Sequence, residues 1–169
     1  VAESVSAYAW HTFNLPVVCA RLFNVIGPGQ SASRVLARFG QQLAKIEAGL
    51  QPPVVHTGRL DAVRDFIDVR DVVSALRLLT TIGEPGSVYN VGSGRGIRVQ
   101  DALRRMMRLA KVTDVQVQSV AASKSAISWQ RSDCRRLKAL GWRCEVSFNQ
   151  SLRDILDDWR TRVKSELTC

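Results

Sequence analysis

The chain has 169 residues, 46% hydrophobic and 23% charged, and its 24 Lys and Arg against 15 Asp and Glu leave a formal net charge of +9. That composition fits one globular unit of ordinary domain size, with enough apolar residues for a core, and it excludes disordered and fibrous classes. No apolar run approaches the ~20 residues that span a bilayer, and the start shows no basic segment followed by an apolar one, so the expectation is a cytoplasmic chain with no membrane partner.

Ala2 to Phe13 reads as a helix, ended at Asn14-Leu15-Pro16 because a residue preceding proline disfavours the helical region. Val17 to Leu22 is a short strand without alternation, the pattern of a strand covered on both faces. It runs into a Gly/Pro loop at Asn24 to Gln30. Leu36, Phe39, Leu43 and Ile46 recur at helical spacing before Gly49, which predicts a helix over 33–48. Val54 to Thr57 and Phe66 to Val69 are strands, and Val72, Val73, Leu76 and Leu79 mark the helix after them. Gly83 to Gly86 is a turn, Ser87 to Val91 a strand and Val99 to Lys111 a helix. Val115 to Val120 alternates as a strand, Ala121 to Ser132 is the one long loop, Cys134 to Leu140 is a short helix stopped by Gly141, and Leu152, Ile155, Leu156, Trp159 and Val163 mark the last helix.

The four cysteines, Cys19, Cys134, Cys144 and Cys169, have neither Cys-x-x-Cys spacing nor a histidine cluster, so no metal site and no disulfide framework is expected. Cys19 reads as a small buried hydrophobe. His56 sits in a strand and His11 on a helix surface, too far apart in sequence to form a metal pair or a nucleophile and its base. Residues 101–143 hold ten Lys and Arg against three Asp, a surplus of +7 that attracts phosphates. Nucleic acid is the lesser reading, because Arg104, Arg108 and Lys111 form a solvated stripe opposite Val99, Leu103, Met106 and Ala110. Gly92-Ser93-Gly94-Arg95-Gly96 follows a strand and precedes a helix, but Ile97 stands where a dinucleotide fingerprint needs its third glycine. A tight turn is the better reading, with weak anion binding second.

An apolar strand that delivers one polar Asn into a Gly/Pro loop, as Arg21-Leu22-Phe23-Asn24-Val25-Ile26-Gly27-Pro28-Gly29-Gln30 does, is how α/β proteins present ligands. With Gly58 to Asp71, which contains Arg64-Asp65-Phe66, and Tyr89-Asn90-Val91-Gly92-Ser93-Gly94, it resembles the carboxyl-terminal half of an extended short-chain dehydrogenase/reductase of the NAD-dependent epimerase/dehydratase family. The pattern is most similar to the branch containing GDP-4-keto-6-deoxy-mannose reductases and GDP-mannose 4,6-dehydratases. The resemblance implies an α/β fold in which a partial Rossmann-type helix and strand, residues 1–24, are followed by a small α/β substrate-binding domain, residues 25–169. It also implies what complete members carry and these residues lack: a Tyr-x-x-x-Lys pair for proton transfer and a glycine-rich loop for NAD(P). Tyr8 is followed at the fourth position by Thr12 and Tyr89 by Ser93, so the chain is expected to begin just after the family's catalytic lysine and to hold no catalytic residue and no cofactor of its own.

By the same resemblance, Arg64 contacts the sugar-nucleotide diphosphate, Asn24 the substrate, Val55 and Thr57 wall the base, and Val35 lies near the loop entering its helix. Read from the residues alone, Arg64 is equally an ion-pair partner for Asp65, Asp68 or Asp71, and Asn24 equally a turn residue. Two departures stand out: the family's Arg-Pro-x-Glu or Arg-Pro-x-Asp element aligns with Ser123 and Ala126, which removes a diphosphate contact and a ribose contact, and Ala32-Ser33-Arg34 replaces its Pro-Arg-Phe. The expected ligand is a GDP-hexose or another nucleotide diphosphate, held without turnover by these residues alone. The alternatives are a non-catalytic assembly or anion-binding module and a substrate half completed in trans by a cofactor-binding chain. Homo-oligomerisation is expected because Val5, Tyr8, Trp10, Phe13, Val17, Val18, Leu22 and Phe23 would lack their family neighbours.

Overall fold

The computed structural model describes residues 2–119 and 127–168. In chain order the elements are α1 (Ala2–Phe13), β1 (Cys19–Leu22), β2 (Asn24–Ile26), α2 (Val35–Glu47), β3 (Val54–Thr57), β4 (Val63–Asp68), α3 (Val69–Ile82), β5 (Val88–Val91), β6 (Gly96–Arg98), α4 (Val99–Leu109), β7 (Gln116–Ser119), α5 (Arg135–Ala139) and α6 (Phe148–Thr168). The architecture is mixed α/β with parallel pairing of β1 with β5 and of β3 with β7, and a third sheet has the order β2-β4-β6.

Contacts divide the described residues into two units, one within Val1–Val25, Asp65–Arg95 and Arg131–Val146, the other within Ile26–Arg64, Gly96–Gln130 and Ser147–Cys169. These units interleave along the chain and do not divide it at the expected 24/25 boundary. In the first unit, β1 and β5 run in register from Cys19↔Val88 to Leu22↔Val91. Ile67, Val72, Ala75, Leu79, Tyr89, Val91, Leu137 and Trp142 form its core, contributed by β4, α3, β5, α5 and the segment after it. Tyr89 carries Arg136 over its ring, with the guanidinium 5.0 Å from the centroid.

The second unit is built on α2, α4 and α6, whose apolar stripes bury Leu36, Phe39, Leu43, Leu103, Met106, Leu152, Ile155 and Leu156. Gly40 is where this packing is closest. A Cβ there would stand 2.9 Å from Trp159 Cδ1 and 3.2 Å from Ile155 Cγ2, so the helices approach over a residue without a side chain. At the rim Glu47 accepts from Arg160 Nε at 2.7 Å and from the Lys111 backbone N–H at 2.6 Å. On α4, which ends at Leu109 rather than at the expected Lys111, Arg104 and Arg108 are exposed opposite buried Val99, Leu103 and Met106, and Lys111 is exposed just beyond it.

Several expectations change at element ends. Asn24-Val25-Ile26 is a strand rather than a loop, because it joins the sheet with β4. β4 begins at Val63, and Val69 belongs to α3 because Asp68 caps that helix, accepting from the Arg70 backbone N–H at 2.9 Å. Arg64 therefore lies within a strand. Val17–Leu22 is expected to be covered on both faces, yet Leu22 is 44% exposed and Cys19 only half-buried; β5 is the sole strand paired with β1 among the described residues. β7 covers Gln116–Ser119 and all four residues are exposed, so its alternation does not mark a half-buried strand. Of the expected loop at 121–132, Ser123 and Ala126 lie outside the described residues, and Trp129 bridges to Val63.

Candidate functional site

At the carboxyl ends of β1 and β5 in the first unit, Asp65 is the organising residue. It is fully buried, and its carboxylate accepts from Ser93 N at 2.9 Å, Ser93 Oγ at 2.6 Å, Gly94 N at 3.0 Å, Ser132 N at 2.9 Å and Ser132 Oγ. Five donors satisfy the charge with no cation, which is how a buried carboxylate survives desolvation. Gly92 makes this convergence sterically feasible, since a Cβ at that position would strike Ser132 Oγ. The Cys134 thiol completes the cluster by donating to Gly92 O at 3.1 Å. Asn24 joins from β2, its Nδ2 donating to the Asp65 backbone carbonyl at 2.9 Å. The Gly92-Ser93-Gly94 turn therefore offers no cradle to a dinucleotide: the N–H groups of Ser93 and Gly94 point inward at Asp65.

Two further carboxylates on the same stretch are consumed locally. Asp68 accepts from Arg70 Nε at 2.8 Å. Asp71 accepts from Glu145 N at 3.0 Å and from the Cys144 thiol at 3.2 Å, so it ties the segment after α5 to α3. Burial, then the adjacent Asp71 carboxylate, push the Cys144 thiol up to about 12, so it stays protonated near neutrality.

These assignments bear on the ion-pair reading of Arg64. Asp65, Asp68 and Asp71 are all occupied elsewhere, and Arg64 makes no ion pair among the described residues. Instead, Nη1 donates to Val63 O at 2.8 Å and Nη2 to Ile127 O at 2.9 Å. Two carbonyls thus fix the guanidinium plane, and among the described residues they are the partners of two of its five N–H donors. Elsewhere in this second unit, Val55 is fully buried and Thr57 is 4% exposed, with Thr57 Oγ1 donating to Gly58 O at 2.8 Å. Both side chains face inward, while His56 between them faces solvent. Val35, at the first turn of α2, is 38% exposed. Arg64, Val55, Thr57 and Val35 belong to the second unit and Asn24 to the first.

Asp65 was legible only as a partner for Arg64. The available signal was an Asp inside the apolar run Phe66-Ile67 together with a Ser-Gly turn, a buried acid with short donors at hand. Among the described residues, no group of three His, Cys, Asp or Glu is placed to hold a metal ion, and no helix is long and apolar enough to cross a membrane.

Residues 1–92 match the model of the NAD dependent epimerase/dehydratase family. The chain belongs to that family. Over 167 residues, 98% of its length, it is 39% identical to the GDP-6-deoxy-D-mannose reductase of Pseudomonas aeruginosa and covers 55% of that protein. A solved structure of RMD from Pseudomonas aeruginosa complexed with NADPH superposes with a TM-score of 0.90 at 38% identity, over 95% of this chain and 54% of that one. UDP-glucose 4-epimerase from Thermotoga maritima, solved with UDP-glucose, gives a TM-score of 0.83 at 25% identity, over 95% of this chain and 51% of that one. The chain thus spans about half the length of the relatives it matches, and both structures share its mixed α/β fold.

Proposed function

We propose that these 169 residues form the substrate-binding half of a nucleotide-sugar reductase, dehydratase or epimerase, with a GDP-hexose as ligand. The observation that carries the reading is Arg64: its neighbouring acids are satisfied by other donors, its plane is fixed by Val63 O and Ile127 O, and a guanidinium so held presents a planar fork that suits phosphate oxygens. The 39% identity to an enzyme named for a GDP-linked hexose favours the guanine nucleotide. Asn24 is assigned to the sugar or phosphate, with its amide oriented by Asp65 O, and the half-exposed Val35 to packing beside the nucleotide, while Val55 and Thr57, buried in their unit, are left to support the wall from within. This division follows the proposed correspondence of residues 1–24 to the end of a cofactor domain and of 25–169 to a substrate domain.

The same residues carry no Tyr-x-x-x-Lys and no glycine-rich loop, and their Gly92-Ser93-Gly94 turn is committed to Asp65. Proton transfer and hydride exchange with NAD(P) therefore require groups outside this stretch, and the cytoplasm is where the reading places the protein. The first test is calorimetry of the purified 169-residue chain with GDP and GDP-mannose. Binding that weakens about tenfold or more in Arg64→Ala supports the reading. Binding indifferent to Arg64, or turnover of a GDP-sugar by the chain alone, sinks it.

A second reading, an assembly surface, is favoured by the apolar exposure of the first unit. Val5, Tyr8 and Phe13 of α1 are each 61% exposed, and a groove of about 500 Å³ runs between α3 and the start of β1, lined by Val18, Ala20, Leu76 and Leu79. A second copy, or a chain carrying the cofactor half, would cover it. Light scattering distinguishes these from a monomer, and a clean 18.7 kDa species at every concentration argues against self-association.

A further inference from the structure

The Gly/Pro loop that follows β2 is gripped by the last helix of the second unit. Gly29 takes the left-handed backbone region, with φ +86°, which glycine adopts without strain. Its N–H donates at 3.0 Å to Asp158 Oδ2, on a helix 129 residues away in sequence. The same oxygen holds Arg162 Nη2 at 2.8 Å, one turn further along α6, and Arg162 Nη1 donates to Gln30 O at 3.4 Å. Arg162 is braced in turn. Its guanidinium lies over the Trp159 ring, 4.7 Å from the centroid, and Trp159 is the buried indole that Gly40 admits to the face of α2. Beyond Gln30 the chain turns toward α2 with Ser33 N donating to Ser31 Oγ at 3.2 Å and Arg34 N to Ser31 O at 3.0 Å. A glycine-rich segment has the most backbone freedom to lose, yet here residues 29, 30 and 31 are each hydrogen-bonded in succession.

An ion pair whose side chains are 33% and 23% exposed adds little to stability by itself, and the apolar contacts of Leu152, Ile155 and Leu156 already dock α6. What Asp158 and Arg162 determine is the shape of the loop, which lies in sequence between Asn24 and Val35, the two residues assigned above to the ligand. A loop ordered before the ligand arrives spares binding the entropic cost of ordering it. We infer that Asp158 and Arg162 are positioning residues for a nucleotide-sugar ligand: without touching it, they hold Gly29 and Gln30 in the form that the ligand meets. The inference rests on the nucleotide reading above and adds α6 to the elements that serve the ligand. Because Gly29 gives its N–H to a carboxylate, that N–H is not part of an anion nest, and recognition of the phosphates stays with Arg64.

The test is calorimetry with GDP-mannose on the 169-residue chain and its Asp158→Ala, Asp158→Asn and Arg64→Ala variants, read beside the thermal midpoint and the hydrogen exchange of the Gly29 amide. Asp158→Ala should bind roughly tenfold more weakly, the effect of ordering about one loop residue at binding instead of before it, with a nearly unchanged midpoint and a fast-exchanging Gly29 amide. Asp158→Asn keeps an acceptor oxygen for Gly29 and should recover most of the affinity and the protection. If Asp158→Ala releases the Gly29 amide and leaves GDP-mannose binding untouched while Arg64→Ala weakens it, positioning is refuted and the nucleotide reading stands. A loss of affinity with Gly29 still protected, or one that Asp158→Asn does not recover, refutes the clasp as its cause. A loss that tracks a lowered midpoint assigns Asp158 to stability instead. Absence of GDP-mannose binding, or binding indifferent to Arg64, overturns both the nucleotide reading and the inference built on it.

Discussion

The two units are held by different means. In the first, Asp65, Asp68 and Asp71 are all buried, and each draws in backbone N–H groups of residues 93, 94 and 132, of residue 70, or of residues 145 and 146. In the second, no carboxylate is buried among the described residues, and the core is apolar interdigitation of α2, α4 and α6 around Gly40. Short strands and turns bury too little apolar surface to fix their own geometry, so charge and directional hydrogen bonds do it. Three helices with apolar stripes need no such clasp. Specificity of conformation comes from polar groups where elements are short and from shape where they are long.

Removing one clasp should therefore cost more than removing one buried leucine. Asp65→Ala strands five donors in the interior, and we expect a loss of about 4 kcal/mol or more in denaturant unfolding, at 1–3 kcal/mol for each group left truly unsatisfied. Leu156→Ala, in the helical unit, should cost about 3 kcal/mol by cavity formation. Equal costs would erase the distinction. Gly40→Ala adds a methyl against Trp159 and Ile155 and should cost about 1–2 kcal/mol, unless the α2 to α6 packing yields.

Titration separates the units more gently. Glu47 is pushed up by burial, but the Arg160 hydrogen bond and the Lys111 N–H outweigh this and hold its carboxyl below the ordinary 4.5. A lowered carboxylate stabilises fully above its unfolded value, so this contribution is complete above about pH 4.5 and fades as pH falls below it; Glu47→Gln should flatten that part of an acid unfolding curve. Cys144 behaves oppositely in the first unit. Its thiol is raised from 9.0 to about 12, so its contribution is complete below pH 9 and is lost as pH climbs toward 12. Cys144→Val should show a shallower alkaline decline, the smallest of these effects.

The helices were legible because 3.6-residue periodicity over ten or more residues outweighs local noise: the expected faces of α2, α4 and α6 are the ones buried. β2 and β6 were not, being three residues long, one followed by Gly27 and the other beginning with Gly96, with pairing supplied by residues far away in sequence. Arg64 and Asn24 were legible as polar residues beside strands and through family resemblance. What they touch was not, because the competing acids were assigned only when residues 93, 132 and 145 arrived from distant parts of the chain. Trp129 lay in a segment read as loop, and its exposure is a property of the bridge to Val63 rather than of any local pattern.

Paired along one edge only among the described residues, β1 gives the chain a built-in reporter. Cys19 N donates to Ser87 O and Phe23 N to Val91 O, so the odd-numbered amides face β5 while those of Ala20 and Leu22 face the other edge. In deuterium oxide the strand should label in alternation, with Cys19 and Arg21 slow and Ala20 and Leu22 fast, a comb readable residue by residue in an amide spectrum. A strand arriving from another chain would silence the fast teeth and leave the slow ones unchanged.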